Sequence, residues 1–254
     1  MSDSLLQHEE DHGIHRLTMT HGANALDGPL VGALRDSFER LRAGGAPAVV
    51  LASAHPSLFC PGWALKFLGE ADREAVGAFL VAFNALILQI FSYPGPTAAA
   101  IGGHSVAGGC LLSLAFDLRV MAEGRPRQGL SELNLGVPVP GNCMRMLRAR
   151  LSSPALDHLV FRGEGCTAQK ARELGVVHRT ALPEEALSVT EVELGKLARR
   201  PRRAFVESKK FLFGDVWKAM AEPQPDENDA FLDCWFEDET RGRITDVASR
   251  LSST

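Results

Sequence analysis

The stretch TAAAIGGHSVAGGCLLSLAFD, Thr97–Asp117, decides the fold that we predict for this chain. It reads as a buried strand, then a glycine-rich loop, then an apolar helix. Such a turn leaves free backbone N–H groups at the start of the helix, where they favour negative charge on a ligand. We therefore predict that a phosphate or an oxyanion binds here. The alternative is that Gly108 and Gly109 only allow the helix to pack closely.

The same stretch contains a second candidate site. Gly103–Ala107 nearly satisfies the G-x-S-x-G pattern, which would make Ser105 a nucleophile on a strand-to-helix turn. No HGGG-type motif precedes it, and its last position is alanine rather than glycine, so this is the weaker interpretation. The downstream acid and histidine that a serine triad needs would come from Asp117 or Asp157 and from His158 or His178.

Strands and helices are predicted to alternate on both sides of this stretch. Strands are expected at Ile14–Thr20 and Ala48–Ala52, and helices after the N-caps Asp27 and Asp72. This alternation indicates an α/β class with crossover connections. Beyond Pro183 only helical patterns remain. The last stretch is too apolar to stay in solvent, so we expect it to dock on the core or on another subunit.

Composition narrows the class of protein. The chain has 254 residues, 45% of them hydrophobic, which is enough for a core that needs no covalent staples. The 27 basic and 31 acidic residues give a net charge of -4 and disfavour a nucleic-acid partner. Five cysteines, odd in number and widely spaced, predict reduced thiols. Met1–Asp11 lacks a basic, apolar leader and no apolar run approaches about 20 residues, so we expect a cytoplasmic protein without membrane contact.

Several segments resemble, in the right order, the sequence blocks of the crotonase (enoyl-CoA hydratase/isomerase) family. The likeness runs from about Ile14 to Val177. The segments are NAL (Asn24–Leu26), FCPGWALK (Phe59–Lys66), which resembles F-C-A-G-A-D-L-K, GHSVAGGC (Gly103–Cys110), which resembles G-x-A-x-G-G-G-C, FDLR (Phe116–Arg119), which resembles C-D-x-R, and GLSELNLG (Gly129–Gly136), which resembles P-E-x-x-L-G.

The resemblance implies a fold and an assembly. It predicts a crotonase-like spiral of repeated ββα turns, with residues 1–195 as the core that binds and converts a CoA thioester. Residues 196–254 would form a C-terminal helical segment that covers the pocket and mediates oligomerisation. A homotrimer or a dimer of trimers is expected.

The resemblance also implies an oxyanion hole for a thioester carbonyl, made by the backbone N–H groups of Trp63 and Gly108. Each such donor contributes about 10²–10³ in rate. The substrate would be an acyl-CoA that brings its own coenzyme A, so no metal or redox cofactor is indicated. Trp63 and Ala64 depart from the family's small residue and aspartate, and the Trp63 indole either walls the acyl pocket or is simply packed. The other substrate-binding candidates are Gly62, Ala64 and Lys66, the lysine for a CoA phosphate.

The carboxylates favour one reaction. Hydratases of the family use two glutamates, and this chain has Leu111 at the first position and Glu132 at the second. Adding water needs two groups, whereas moving a double bond from the 3- to the 2-position needs one base. The segment Gly136–Pro140 also resembles the family's 3,2-enoyl-CoA isomerases. We therefore predict an isomerase with Glu132 in an apolar pocket that raises its pKa, lined by Leu111, Leu135, Val137 and Met144.

Other interpretations remain open at this point. The chain could run another crotonase reaction, namely hydration, thioester hydrolysis or decarboxylation, or bind CoA without catalysis. Glu132 could be an ordinary surface residue. Among the other charged and polar candidates, Asp117 is expected to pair with Arg119, His104 to hydrogen-bond within its loop, and Lys209 and Lys210 to meet a CoA phosphate with less weight than Lys66.

Overall fold

The computed structural model of the chain describes residues 5–252. Residues 1–4 of the N-terminal stretch that we read as lacking a leader, and residues 253–254 of the predicted helical segment, lie outside this range. The predicted α/β class is confirmed, because strands and helices alternate along the first two thirds of the chain and helices follow.

The strands are β1 Leu6–Asp11, β2 Ile14–Met19, β3 Ala48–Ser53, β4 Leu58–Cys60, β5 Thr97–Ile101, β6 His104–Val106, β7 Leu118–Ala122, β8 Gln128–Gly129 and β9 Arg179–Ala181. The helices are α1 Gly28–Ala43, α2 Leu65–Leu68, α3 Arg73–Phe91, α4 Gly108–Leu114, α5 Glu132–Leu135, α6 Gly141–Arg150, α7 Ser153–Leu156, α8 Ala168–Glu173, α9 Ala186–Ala198, α10 Arg202–Ala221, α11 Pro225–Trp235 and α12 Asp238–Ser252.

The strands form two sheets. The larger sheet has the order β1-β2-β3-β5-β7-β9 and is parallel except for the β1–β2 hairpin. The smaller sheet has the order β4-β6-β8 and is parallel throughout. Each turn of chain gives one strand to the larger sheet and the next strand to the smaller one. This is the predicted spiral of repeated ββα turns.

Helix starts follow the predicted caps. The Asp27 carboxylate accepts a hydrogen bond from the Leu30 N–H at 2.8 Å, and the Asp72 carboxylate accepts one from the Ala75 N–H at 2.9 Å. Each cap of this kind stabilises a helix by about 1 kcal/mol, because it satisfies a backbone donor that has no partner within the helix. The two longest helices of the first half of the chain are therefore fixed by local signals.

The central helix corrects one prediction. α3 is 19 residues long and apolar enough to cross a membrane by length and composition, although we expected no run approaching that size. Half of its most apolar window is buried inside the fold, with Phe83, Ile87 and Ile90 fully buried in the main core. A helix that is apolar on most sides is typical of the centre of a large core as well as of a membrane span.

The C-terminal helices pack on their own chain. Phe231, Leu232, Trp235 and Ile244 are buried in the main core, so of the two docking alternatives the fold uses its own core. The division that we predicted between residues 195 and 196 falls inside α9. Leu194 of that helix packs against the larger sheet, so α9 is continuous with the core.

The charged groups around the partly buried Asp117 differ from our prediction. The Asp117 carboxylate accepts hydrogen bonds from Lys209 Nζ at 2.8 Å and from the Thr97 N–H at 3.0 Å, and Arg150 lies 3.6 Å away. Arg119 instead donates to the Phe116 carbonyl in the α4–β7 connection and to the Val176 carbonyl in the α8–β9 connection. The predicted Asp117–Arg119 ion pair is therefore wrong. Lys209 is buried and bound to Asp117, so the prediction that it binds a CoA phosphate is also wrong.

Candidate active site

The smaller sheet brings the main candidates together. Trp63 follows β4, Gly108 follows β6 and Glu132 follows β8. Because the three strands are parallel and adjacent, their carboxyl ends meet at one edge, which is where open parallel sheets bind ligands. Gly108 thus lies between Trp63 on one side and Glu132 on the other, although the three are far apart in sequence.

The loop that carries Trp63 is held by the NAL segment. The Leu26 N–H donates to the Gly62 carbonyl at 2.8 Å, and the Ala64 N–H donates to the Leu26 carbonyl at 2.9 Å. Gly62 has φ +102°, and a Cβ atom there would lie 3.2 Å from the Gly108 nitrogen. Glycine is required at this position, because the loop after β4 touches the start of α4.

Two backbone donors are free at this contact. Among the described residues, the N–H groups of Trp63 and Gly108 donate to no protein acceptor, whereas the Ala64 N–H beside them is hydrogen-bonded. Ala107, which precedes Gly108, has φ +48° and ψ −125°, an unusual turn for a residue with a side chain. Two adjacent free N–H groups are the requirement for an oxyanion hole.

The two glycines of α4 have different roles. A Cβ atom at Gly109 would lie 2.1 Å from the Cys60 carbonyl oxygen, so this glycine permits close packing of α4 on β4. A Cβ atom at Gly108 would instead meet the Trp63 indole, 2.7 Å from Cδ1 and 3.0 Å from Nε1. The close-packing alternative therefore holds for Gly109, and Gly108 makes room for the indole.

Glu132 is buried, as predicted. It begins α5 with 8% of its surface exposed, and its Oε2 accepts a hydrogen bond from the Ser131 N–H at 2.8 Å. Burial raises the pKa of its carboxyl group from 4.5 to about 7, against the opposing effect of backbone N–H donors. The prediction of a raised pKa is confirmed, and the interpretation of Glu132 as an ordinary surface residue is wrong.

The four residues predicted to line the pocket of Glu132 belong to the main core or pack against it. Leu111 and Val137 are buried in the main core, and Leu135 and Met144 are half-buried against it. Sequence reasoning missed two neighbours, Cys110 on α4 and Cys143 on α6. Burial, and secondly the negative charge of Glu132, raises the pKa of both thiols, so both lie within electrostatic reach of the carboxylate.

The Trp63 indole lies in an aromatic cluster. Its ring centroid is 4.9 Å from that of Phe79 and 5.5 Å from that of Phe83 on α3. On α11, Phe231 and Trp235 lie at 5.5 and 5.6 Å. The indole is therefore packed and at the same time borders the candidate site. Only the apolar character of residues 231–236 signalled that α11 would dock; nothing local indicated its contact with Trp63.

Helix α12 packs against two segments of the candidate site. Thr240 Oγ1 donates to the Gly136 carbonyl at 3.3 Å, and Arg243 donates to the Asn134 carbonyl at 3.1 Å, both at the α5 turn. Ile244 packs close to Gly69, just after α2. One helix thus contacts both the segment after Trp63 and the helix that begins with Glu132.

The serine-nucleophile interpretation is wrong. Ser105 is fully buried, and its Oγ donates to the Gly109 carbonyl at 3.0 Å rather than to a histidine. His178 Nδ1 accepts from the Arg119 N–H at 3.1 Å, and burial lowers the pKa of this imidazole to about 4. His104 Nδ1 accepts from the Arg127 N–H at 3.2 Å, so it forms a hydrogen bond as predicted, but with the β7–β8 connection rather than within its own loop.

The remaining candidates lie near the same edge or on the surface. Lys66 is exposed on α2 and pairs with no acid among the described residues, so its ammonium group is available to a ligand. Lys210, in contrast, pairs with Glu207 on α10. Across residues 5–252, no cluster of three or more His, Cys, Asp or Glu side chains could hold a metal ion.

Known proteins are similar to this chain in sequence. The profile described as Enoyl-CoA hydratase/isomerase matches residues 9–242. Enoyl-CoA hydratase domain-containing protein 2, mitochondrial, from Mus musculus is 34% identical over 178 residues, which are 68% of this chain and 60% of that protein. Methylglutaconyl-CoA hydratase, mitochondrial, from the same species is 32% identical over 173 residues, 66% of this chain and 54% of that protein. The matches thus span less than two thirds of these relatives.

Solved structures share the fold. Human mitochondrial delta3-delta2-enoyl-CoA isomerase superposes with a TM-score of 0.93 at 21% identity, covering 98% of this chain and 99% of that one. An enoyl-CoA hydratase from Mycobacterium ulcerans superposes with a TM-score of 0.81 at 23% identity, covering 92% of this chain and 100% of that one. At these identities the likeness concerns the fold.

Proposed function

Because the chain belongs to the enoyl-CoA hydratase/isomerase family, we propose that it moves the double bond of a 3-enoyl-CoA to the 2-position with Glu132 as the single base. One observation carries the proposal. Glu132 is the only buried carboxylic acid among the described residues, and by the resemblance Leu111 stands where hydratases of the family have their other glutamate. A reaction that needs one base fits this site better than one that needs two.

The reaction uses the groups already described. The thioester oxygen accepts hydrogen bonds from the N–H groups of Trp63 and Gly108, and Glu132 removes a proton from C2. The electrons of the C2–H bond move toward the carbonyl and give a dienolate, whose oxygen the two donors stabilise. Glu132 then returns the proton to C4, so that the double bond ends between C2 and C3. Coenzyme A enters and leaves with the substrate.

The acidity of Glu132 suits this exchange. A base that must both take and return a proton works best when its pKa lies near the working pH, and burial brings the pKa of Glu132 to about 7. The exposed Lys66 at the same edge would pair with a phosphate of the coenzyme.

Hydration is the second candidate, because a curated relative is named as a hydratase. In that reaction Glu132 alone would hold and deprotonate the water. Incubating the protein separately with 3-enoyl-CoA and 2-enoyl-CoA, with chromatography of the thioesters, distinguishes the two reactions. Isomerisation gives 2-enoyl-CoA from the first substrate, whereas hydration gives a 3-hydroxyacyl-CoA from the second.

The Glu132→Gln variant tests the assigned base. We expect it to lose at least about 10²-fold in isomerase kcat, because an amide cannot accept the C2 proton. Glu173→Gln, on the exposed surface of α8, is the matched control and should retain activity. Unchanged turnover in Glu132→Gln would contradict the proposal.

We also propose that three copies, or two sets of three, assemble in solution. Phe211 and Leu212 on α10 are 86% and 69% exposed in the single chain, and large apolar side chains that are exposed together are often covered on association. Light scattering after gel filtration should give three or six times the chain mass of 27.4 kDa. A monomer in that measurement would contradict the assembly.

A further inference from the structure

Trp63 contributes to the site twice. Its backbone N–H is one of the two candidate oxyanion donors, and its indole lies against Gly108, which carries the other. A Cβ atom at Gly108 would lie only 2.7 Å from Cδ1 of the indole. An acyl chain whose carbonyl binds between these two N–H groups therefore starts directly beside the indole.

The indole cannot easily turn aside. Phe79 and Phe83 contact it from α3, and Phe231 and Trp235 contact it from α11, with ring centroids 4.9 to 5.6 Å away. All four of these rings are buried. Protein interiors are packed as densely as organic crystals, so a rotation of Trp63 would displace buried rings on two helices.

The chemistry of this wall matches a hydrocarbon tail. The five aromatic side chains would favour an acyl chain if there were room for it. The indole fills the space that a tail leaving the Gly108 N–H toward α3 and α11 would need. Two clefts of about 200 and 550 Å³ lie elsewhere, the first lined by residues such as Pro47 and Phe205 and the second by residues such as Arg172 and Arg179.

We infer from this arrangement that the Trp63 indole sets the length of the acyl group, and that the substrates are short-chain acyl-CoA thioesters. The inference rests on the proposed function, because it assumes that the thioester carbonyl binds at Trp63 and Gly108. Trp63 is then a residue that determines specificity through its side chain, in addition to donating its N–H.

Binding of saturated acyl-CoAs, which cannot react by isomerisation, tests this without turnover. Calorimetric titration of the wild-type protein with thioesters of two to twelve carbons should show no gain in affinity once the tail reaches the indole. In Trp63→Ala each further methylene that enters the freed space should raise the affinity about fourfold, since burying one methylene contributes about 0.8 kcal/mol.

Two further variants serve as controls for protein stability and for the loss of a buried aromatic ring elsewhere. Trp63→Phe leaves a smaller ring in the cluster and should shift the limit to longer chains by less than Trp63→Ala, even if the alanine variant is poorly stable. Phe38→Leu changes a buried aromatic residue that contacts Tyr93 and Phe116 instead, and should keep the wild-type length profile.

The outcomes separate this inference from the proposed reaction. A wild-type affinity that rises through ten carbons, or a length profile that neither Trp63 variant changes, would overturn the length limit. If the length limit holds while no 3-enoyl-CoA is converted, the isomerase proposal fails and the inference about Trp63 stands. If the wild-type protein binds no acyl-CoA of any length, both fail.

Discussion

The Glu132 carboxylate is held where burial opposes its charge and only backbone donors offset that penalty. Its pKa of about 7 follows from that balance. Ala107, next to the candidate oxyanion donor Gly108, shows a similar local cost, because its φ of +48° is disfavoured for a residue with a Cβ atom. At the scale of single residues, two positions of the candidate site therefore lower the free energy of unfolding.

The pH dependence of turnover should report Glu132 directly. Only the carboxylate form accepts the C2 proton, so kcat/KM for a 3-enoyl-CoA should rise about tenfold per pH unit below pH 7 and level off above it. Initial rates at low substrate concentration between pH 5.5 and 9 measure this. A profile that is flat across pH 7 would contradict the assigned base.

The strain at Ala107 should be measurable as stability. Ala107→Gly removes the Cβ atom from a disfavoured conformation and should raise the free energy of unfolding by about 1 kcal/mol. Ala115→Gly is the control, because Ala115 at the end of α4 has ordinary helical angles and should lose about 1 kcal/mol. Urea denaturation of both variants checks the opposite signs, and equal signs would exclude strain at Ala107.

At the scale of elements, the short strands β4, β6 and β8 position the candidate site residues, and the C-terminal helices α11 and α12 pack around them. α11 supplies aromatic rings to the Trp63 cluster, and α12 contacts both the α2 segment and α5. The segment that we predicted to cover the pocket thus contacts the candidate site through α11 and α12. Its removal would expose Trp63 and the rings packed on it.

The packing of α12 gives a prediction at this scale. Ile244→Ala should lower the free energy of unfolding by about 2–5 kcal/mol, because this buried side chain fills space beside Gly69. Thr245→Ala, on the exposed side of the same helix, should change it by less than about 0.5 kcal/mol. Thermal or urea unfolding of the pair tests this, and a similar loss in both variants would contradict a docked α12.

At the scale of the whole molecule, the buried Glu132 links stability to pH. Its pKa is raised from 4.5 to about 7, so between these pH values the folded protein retains a proton that the unfolded chain has lost. The contribution of Glu132 to the free energy of unfolding is therefore highest at low pH and falls as the pH rises from 4.5 through 7. The total loss is about 3 kcal/mol. The proposed role of Glu132 as a base near neutral pH would therefore lower the stability of the folded protein.

Glu132→Gln should reveal that cost in the stability of the whole chain. The amide is nearly isosteric and does not ionise, so the variant should exceed the wild type by about 3 kcal/mol at pH 8 and by only about 1 kcal/mol at pH 5. Urea denaturation at the two pH values measures the difference. A difference that is the same at both pH values would mean that folding does not raise the pKa of Glu132.

The sequence by itself determined the parts that depend on neighbouring residues. Asp27 and Asp72 predicted the starts of α1 and α3, and the apolar residues that begin the stretch Thr97–Asp117 predicted the strand β5. These succeed because capping and hydrophobic periodicity act within a few residues. The burial of Glu132 was predicted through the resemblance of its segment, since one glutamate among 31 acidic residues carries no local signal.

Only the tertiary structure decided the contacts between distant segments. Asp117 pairs with Lys209 of α10 rather than with Arg119, which is close to it in sequence. Trp63 packs against Trp235 of α11, which is also far from it in sequence. The short strands β4, β6 and β8 carry too few residues for a periodic pattern, yet their parallel order brings Trp63, Gly108 and Glu132 to one edge. Such contacts depend on how whole helices and strands pack. Burial and charge pairing bring together residues that are far apart in sequence, so no short segment predicts them.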